Sequence, residues 1–141
     1  MNSMKFLPTA IFSAVFVAST VFVVAHAGGA AASVDWSHAQ RIEMSMVEYE
    51  FIPKELRLRH GVPYQLHLRN AGTEGHDFTA PALFSSVEIR NKEALNENRV
   101  SVFLEPGQSV DIYLIAEAPG FFGLRCADHD WAGMTGAIVI E

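Results

Sequence analysis

Three side chains that bind soft metal ions lie close together near the end of the chain. They fall within residues 126–136, whose sequence is CADHDWAGMTG. Cys126 is the only cysteine, His129 follows after two residues, and Met134 after four more. A thiolate, an imidazole and a thioether together suit copper, which alternates between a soft +1 and a harder +2 state. Zinc sites use paired cysteines and histidines, and no such pair repeats here.

The spacing allows one loop to deliver all three ligands. A strand can present Cys126, a tight turn can return His129 beside it, and four further residues can return Met134. A fourth ligand must come from elsewhere, and His76 is the best candidate because it follows two glycines that let the backbone bend. His76 and Cys126 are far apart in sequence, so the site requires a fold that returns the chain over itself.

Short segments with apolar residues at every second position supply such a fold. This alternation is typical of half-buried β-strands, and it ends in Cys126, which therefore faces the interior. No convincing long helix follows the N-terminal segment. The pattern predicts an all-β protein, an antiparallel Greek-key β-sandwich of about seven or eight strands. The alternating runs are 42–46, 56–58, 64–68, 100–104, 110–114 and 122–126.

The intervening segments carry more local predictions. A one-residue shift of the alternation at Tyr49 indicates a bulge or bend. Residues 78–84 are compatible with a bent short strand. Residues 85–98 are polar and predict a long loop with one helical turn around 92–97. Residues 105–108, Glu-Pro-Gly-Gln, predict a type II turn.

The N-terminus has the features of an export signal. Lys5 precedes an apolar run over 11–24, and an Ala-His-Ala cleavage site ends at residue 27. We therefore expect residues 1–27 to be a signal peptide, 28–41 a flexible leader, and 42–141 the folded domain. An uncleaved membrane anchor is the alternative.

Charge and cysteine content narrow the function. The chain has 10 basic and 16 acidic residues, a formal charge of −6. Removing residues 1–27 removes one lysine and no acids, which leaves 9 against 16, or −7. An acidic surface argues against nucleic acid and favours a basic partner. In an exported chain, a single cysteine cannot form an internal disulfide, which favours a ligand role.

An Asn-Ala-Gly turn at 70–72 precedes His76, and a Cys-x2-His-x4-Met-x-Gly loop follows from Cys126 before a closing apolar strand. This ordered set resembles the small type 1 (blue) copper proteins, the cupredoxins, with the loop spacing of the plastocyanin and pseudoazurin branch. The resemblance extends over about residues 46–141.

The resemblance implies that Cys126, His76 and His129 form a trigonal plane around one copper ion, with Met134 as a long axial ligand. It also implies that no coordination position is open to a substrate. We therefore expect a one-electron carrier, not an enzyme. It would be a periplasmic monomer that exchanges electrons with a redox protein such as a c-type cytochrome or a membrane oxidoreductase.

By the same resemblance, His129 provides the electron exit at the protein surface. Trp131, Ala132, Pro81 and Leu83 are candidates for an apolar docking patch around it. The charge of the residues next to this patch would determine which partner is attracted to it.

The chain departs from the family pattern at four positions. Asp77 and Ala127 stand where the family has an asparagine and a serine or threonine that tie the two ligand loops together. Asp128 replaces a proline, and its backbone N–H can point at the thiolate. Arg125 replaces a tyrosine linked to a second electron route in plastocyanins.

Acidic residues flank the loop histidine and leave a second function open. Three interpretations of Asp128 and Asp130 are open. The two carboxylates guide a basic cytochrome, they bind or transfer a metal ion, or they are ordinary solvated loop residues. A copper-handling protein for resistance, storage or delivery is the alternative function, and a sandwich without metal is a third. His38, His60 and His67 have no assigned role.

Overall fold

The computed structural model describes residues 33–141. The predicted signal peptide, residues 1–27, lies outside these residues, as does the first part of the predicted leader. Strand pairing begins at Gln40, two residues before the predicted start of the domain, and a 3-10 turn precedes it at Trp36–His38.

Ten strands and one short helix make up this part of the chain. The helix, α1, is Pro81–Phe84, and further 3-10 turns lie at Lys92–Ala94 and Asp130–Ala132. The strands are β1 Gln40–Val47, β2 Glu50–Ile52, β3 Glu55–Leu58, β4 Pro63–Asn70, β5 His76–Thr79, β6 Val87–Ile89, β7 Ser101–Leu104, β8 Ser109–Ala116, β9 Gly120–Arg125 and β10 Thr135–Ile140.

The strands form two five-stranded sheets, in the orders β2-β1-β4-β8-β6 and β3-β10-β9-β5-β7. The predicted β-sandwich is confirmed. The β1–β4 and β10–β3 pairs are parallel, whereas the other pairs are antiparallel. The strand count exceeds seven or eight because β2 and β6, of three residues each, give no separate alternating run in the sequence.

The core lies between the sheets and follows the alternation of the longer strands. Met44, Leu68 and Leu114 are at most 1% exposed, whereas their chain neighbours face outward or are half-buried. Side chains of a strand point alternately to its two faces, so a period-two pattern fills one face with apolar groups. The predicted half-buried strand over 42–46 is confirmed, with Met44 and Met46 in the core.

The shift of the alternation at Tyr49 marks a chain reversal. β1 ends at Val47 and β2 begins at Glu50, and the two pair antiparallel. A hairpin therefore takes the place of the predicted bulge or bend. This turn carries Glu48 and Tyr49 to the end of the sandwich where the sulfur of Cys126 lies.

Residues 78–84 are only partly extended. β5 ends at Thr79, and Pro81 begins the α1 turn, in which the Phe84 N–H donates to the Ala80 carbonyl at 3.0 Å. The strand prediction is wrong beyond Thr79 because proline is well suited to the first position of a helix. The predicted helical turn within 85–98 is present as the 3-10 turn Lys92–Ala94.

Two further features concern turns and membranes. The Gln108 N–H donates to the Glu105 carbonyl at 3.0 Å, and Gly107 has φ +81°, which confirms the predicted type II turn. Within residues 33–141, none of the helices has the length and apolar character needed to span a bilayer.

Burial should separate the effects of substituting two phenylalanines. Phe51 is 1% exposed and Phe121 is 72% exposed. We expect Phe51→Ala to lower the free energy of unfolding of the metal-free protein by about 3–5 kcal/mol because it leaves a core cavity. Phe121→Ala should change it by less than about 0.5 kcal/mol. Urea denaturation of both variants measures the difference, and equal losses would contradict the predicted packing.

Candidate metal centre

β9, which pairs with β10, leads directly into Cys126 and positions its thiol. Leu124 and Cys126 face inward and are almost fully buried, as the alternation predicted. The Cys126 N–H donates to the Met134 carbonyl at 3.0 Å, and the His129 N–H donates to the Cys126 carbonyl at 3.3 Å. These bonds close the segment 126–134 into a compact loop, here called the Cys loop.

The Cys loop turns on a 3-10 turn that ends in a left-handed glycine. Gly133 has φ +86°, a conformation that a residue with a Cβ rarely adopts. The Met134 N–H then donates to the His129 carbonyl at 3.3 Å, and the Met134 side chain is fully buried. The role of Met134 as the axial ligand remains a prediction.

The loop that carries the first histidine is built by Asn70. Its side-chain N–H group donates to the carbonyls of Glu74 at 2.7 Å and Leu104 at 2.9 Å, and its side-chain oxygen accepts the Gly72 N–H at 2.9 Å. Residues 71–75, here called the His76 loop, are thereby fixed between β4 and β5. His76 follows at the start of β5 with no exposed surface.

The predicted imidazoles and thiol converge. β5 and β9 are antiparallel neighbours in one sheet, so the start of β5 and the end of β9 lie at the same end of the sheet. The Nδ1 atoms of His76 and His129 are 3.2 Å apart, and they lie 4.0 and 3.5 Å from the Cys126 sulfur. Within residues 33–141, no other group of three or more potential ligands from histidine, cysteine, aspartate or glutamate comes together.

These separations fit one small metal ion. Bond lengths of about 2.0 Å to nitrogen and about 2.3 Å to sulfur place the donor atoms of a trigonal site about 3.5 to 3.7 Å apart. The observed distances of 3.2, 3.5 and 4.0 Å scatter around those values. Two imidazoles and a thiolate with a neighbouring thioether form a donor set that suits copper.

The connection between the two ligand loops uses Asp77 in a way that differs from the family pattern. Both carboxylate oxygens accept the backbone N–H of Ala127, at 2.9 and 3.0 Å, and the carboxylate also accepts the Thr79 hydroxyl. The missing serine or threonine after the cysteine is thus replaced by a backbone donor. A carboxylate suits this position because it presents acceptors only.

The surroundings of the thiol are mixed in charge. Burial raises the pKa of the Cys126 thiol, the backbone N–H groups of Asp77 and Asp128 lower it, and the negative charge of Asp77 raises it, with a net increase. Among the described contacts, the backbone N–H that lies within hydrogen-bond distance of the sulfur is that of Asp77, at 3.4 Å. A bound metal ion would displace the thiol proton in spite of this increase.

Sequence reasoning missed two carboxylates that face the far nitrogens of the imidazoles. Glu74 Oε2 lies 3.2 Å from His129 Nε2, and Glu48 Oε1 lies 3.5 Å from His76 Nε2. Glu48 belongs to the β1–β2 hairpin and has no sequence signal that connects it to His76. Glu74 lies two positions before His76 in the chain but faces His129, and in the sequence it resembles an ordinary loop acid.

Glu48 also shapes the His76 loop. Its carboxylate accepts the backbone N–H groups of Thr73 and Glu74, the latter at 2.8 Å, and these two bonds hold its pKa at about 2. A Cβ on Gly72 would collide with this carboxylate. Glycine at this position therefore leaves room for Glu48.

Aromatic residues cover the surface beside His129, which is 14% exposed in its side chain. The Tyr49 ring packs 4.8 Å from the His129 ring and 6.0 Å from the Trp131 ring, and Trp131 is 78% exposed. Pro81 is also exposed, but Leu83, in the same short helix, is buried and cannot belong to the predicted docking patch. Tyr49 was not predicted.

The flanking acids differ from each other. Both are exposed, but Asp130 pairs with Arg125 at 2.8 Å, whereas Asp128 has no ion pair among the described contacts. The other three described histidines lie outside the site. His38 contacts Asp35 at 2.8 Å, His67 contacts Asp111 at 2.7 Å, and the His60 N–H donates to the Glu141 carbonyl at 2.9 Å.

Comparisons with known proteins agree with this arrangement. A family model described as Cupredoxin-like domain matches residues 13–140. A search of curated proteins finds no match.

Solved structures with the same fold include reduced auracyanin from Roseiflexus castenholzii. It is 20% identical, with a TM-score of 0.54 over 73% of this chain and 98% of that one. Auracyanin B is also 20% identical, with a TM-score of 0.56 over 77% and 93%. A multi-copper oxidase from Pediococcus acidilactici is 18% identical, with a TM-score of 0.54 over 79% of this chain but only 28% of the oxidase.

The link between the two ligand loops can be tested at Asp77. We expect Asp77→Ala to destabilise the metal-free protein by about 1–3 kcal/mol because it leaves the Ala127 N–H without an acceptor. Asp77→Asn keeps an acceptor oxygen and should lose less. Thermal and urea denaturation of the two variants measure this order, and a reversed order would show that the carboxylate does not bridge the loops.

Proposed function

Because the chain belongs to the cupredoxin family, we propose that it is an exported type 1 copper protein that carries single electrons between redox partners. The observation that supports this most is the convergence of two imidazole nitrogens and one sulfur within 4.0 Å of one another. Three such donors brought together in a largely buried site are typical of metal binding.

In this proposal His76, Cys126 and His129 hold the copper, and Met134 is the weak axial ligand. Bound copper supplies a one-electron couple between Cu(I) and Cu(II). The chain's own contribution is to fix the donor atoms. Cys126 and His76 are fully buried, backbone hydrogen bonds close the Cys loop, and the Asn70 side chain holds the His76 loop. Dense packing resists displacement, so the ligands would move little when the ionic charge changes.

A carrier accounts for the site better than an enzyme does. Four protein ligands would leave no position for a substrate, and catalytic metal sites keep one open. The similarity to a multi-copper oxidase covers only 28% of that protein, which corresponds to one domain's share of a larger chain. We therefore assign no catalytic residues.

The surface around His129 suits a basic redox protein. Trp131 and Tyr49 provide exposed apolar area, and Glu74 and Asp128 add negative charge beside it. Charge of this kind steers a positively charged partner such as a c-type cytochrome. With the predicted signal at residues 1–27, the expected location is the periplasm, and the expected state is a monomer.

Copper handling is the second candidate. The carboxylates of Glu48 and Glu74 and the exposed Asp128 lie beside the ligand loops, where they could receive or release a cation. This function would use the same ligands but would require the metal to leave readily.

One pair of assays separates the two functions. The copper-loaded protein is mixed either with a reduced basic cytochrome c or with a metal-free copper acceptor. An electron carrier should oxidise the cytochrome rapidly and keep its copper, whereas a delivery protein should lose copper with little electron exchange. Cys126→Ser is the control, and it should lose the intense visible band of the loaded protein because that band requires a thiolate ligand. A surviving band would refute the assigned site.

The axial position is tested separately. We expect Met134→Leu to keep the blue colour and raise the reduction potential because the lost donor stabilises the oxidised state more. Voltammetry of the copper-loaded variant measures the shift. An unchanged potential would remove Met134 from the ligand set.

A further inference from the structure

The two imidazoles direct their nitrogens in opposite directions. Nδ1 of His76 and Nδ1 of His129 face each other and the Cys126 sulfur. Each Nε2 faces a carboxylate on the opposite side, Glu48 for His76 and Glu74 for His129. Both ligands therefore have an acid behind them.

Metal binding fixes the proton on the far nitrogen. A neutral imidazole carries its proton on one of its two nitrogens, so binding through Nδ1 leaves an N–H group at Nε2. That group is a hydrogen-bond donor, and a carboxylate is an acceptor with no donor of its own. Carboxylates that accept from metal-bound histidines orient the ring and increase its basicity.

The two contacts differ in kind. His129 Nε2 and Glu74 Oε2 are 3.2 Å apart, within hydrogen-bond distance, and the Glu74 side chain is half exposed. His76 Nε2 is completely buried, and among the described residues it is the one buried side-chain nitrogen or oxygen that has no hydrogen bond. Glu48 Oε1 lies 3.5 Å from it and is held there by the His76 loop.

Tyr49 fixes the position of Glu74. Its hydroxyl donates to the two Glu74 oxygens at 3.3 and 3.5 Å, while its ring packs against His129. Tyrosine, glutamate and imidazole thus form one connected group at the surface. The negative charge of Glu74 raises the pKa of the Tyr49 hydroxyl, which keeps it a donor.

We propose that Glu74 and Glu48 are positioning residues that accept from or face the Nε2–H groups of His129 and His76 and lower the reduction potential of the centre. This inference rests on the copper site of the proposed function and extends it. A more basic imidazole and a nearby negative charge both favour Cu(II) over Cu(I), because the more highly charged ion gains more from each.

The first test compares two substitutions that each remove one negative charge. Glu74→Gln removes a negative charge and leaves only a neutral, weaker acceptor that faces His129. Asp128→Asn removes the same charge from an exposed residue of the Cys loop that has no hydrogen bond to either imidazole among the described contacts. Voltammetry of the copper-loaded variants should show an upward shift for Glu74→Gln that exceeds the shift for Asp128→Asn. Equal shifts would overturn the assignment because they would show only a general effect of charge.

A second readout requires no change of copper oxidation state. Cu(I) is diamagnetic, so the His129 Nε2–H of the reduced protein can be followed by proton–nitrogen NMR. Its exchange with water should be several-fold faster in Glu74→Gln and Glu74→Asp than in the unmodified protein. Glu74→Asp keeps the charge but shortens the side chain, so it separates contact from charge. Unchanged exchange in both variants would overturn the hydrogen bond.

Glu48→Gln tests the buried histidine. The glutamine oxygen can still accept the N–H groups of Thr73 and Glu74, so the His76 loop should remain folded. The charge that faces His76 is lost, and the potential should shift upward. An unchanged potential in a folded, blue variant would remove Glu48 from the proposal. None of these measurements involves a redox partner, so a failure to exchange electrons with a cytochrome would refute the proposed function and leave this inference standing.

Discussion

The structure of the site depends on holding two loops together at one end of a β-sandwich. The His76 loop and the Cys loop come from neighbouring strands of one sheet, and Asp77 links them through the Ala127 N–H. The Asp77 N–H also points at the Cys126 sulfur at 3.4 Å. These bonds place three potential ligand atoms next to one another inside a protein that otherwise fills its core with apolar side chains.

A buried polar cluster of this kind is costly unless its groups are paired. The thiol and the two Nδ1 atoms face one another, and a shared metal ion would satisfy all three. The remaining imidazole nitrogens face Glu48 and Glu74. The site is therefore layered, with soft and borderline donors inside and carboxylates outside. The carboxylates of the outer layer are negatively charged, as is the surface that a basic partner would approach.

Much of the fold could be predicted because alternation is a local property. The long strands β1, β4 and β8 were recognisable from apolar residues at every second position, and the turn at 105–108 from its proline and glycine. Short elements were less predictable. The three residues of β2 or of β6 give too few alternations to identify a separate strand, and the run after β5 became a helical turn at Pro81. The parallel pairing of β1 with β4 depends on how the whole chain is wound.

The sequence by itself determined which atoms could bind a metal, because ligand chemistry belongs to residue types and the spacing of Cys126, His129 and Met134 belongs to one loop. It also indicated His76 through the flexible segment before it. Only the tertiary structure decided which other residues contact those ligands. Glu48 arrives from a hairpin 28 positions before His76, and Asp77 finds its partner 50 positions later. Such contacts form because packed sheets bring distant segments together, and no local pattern records them.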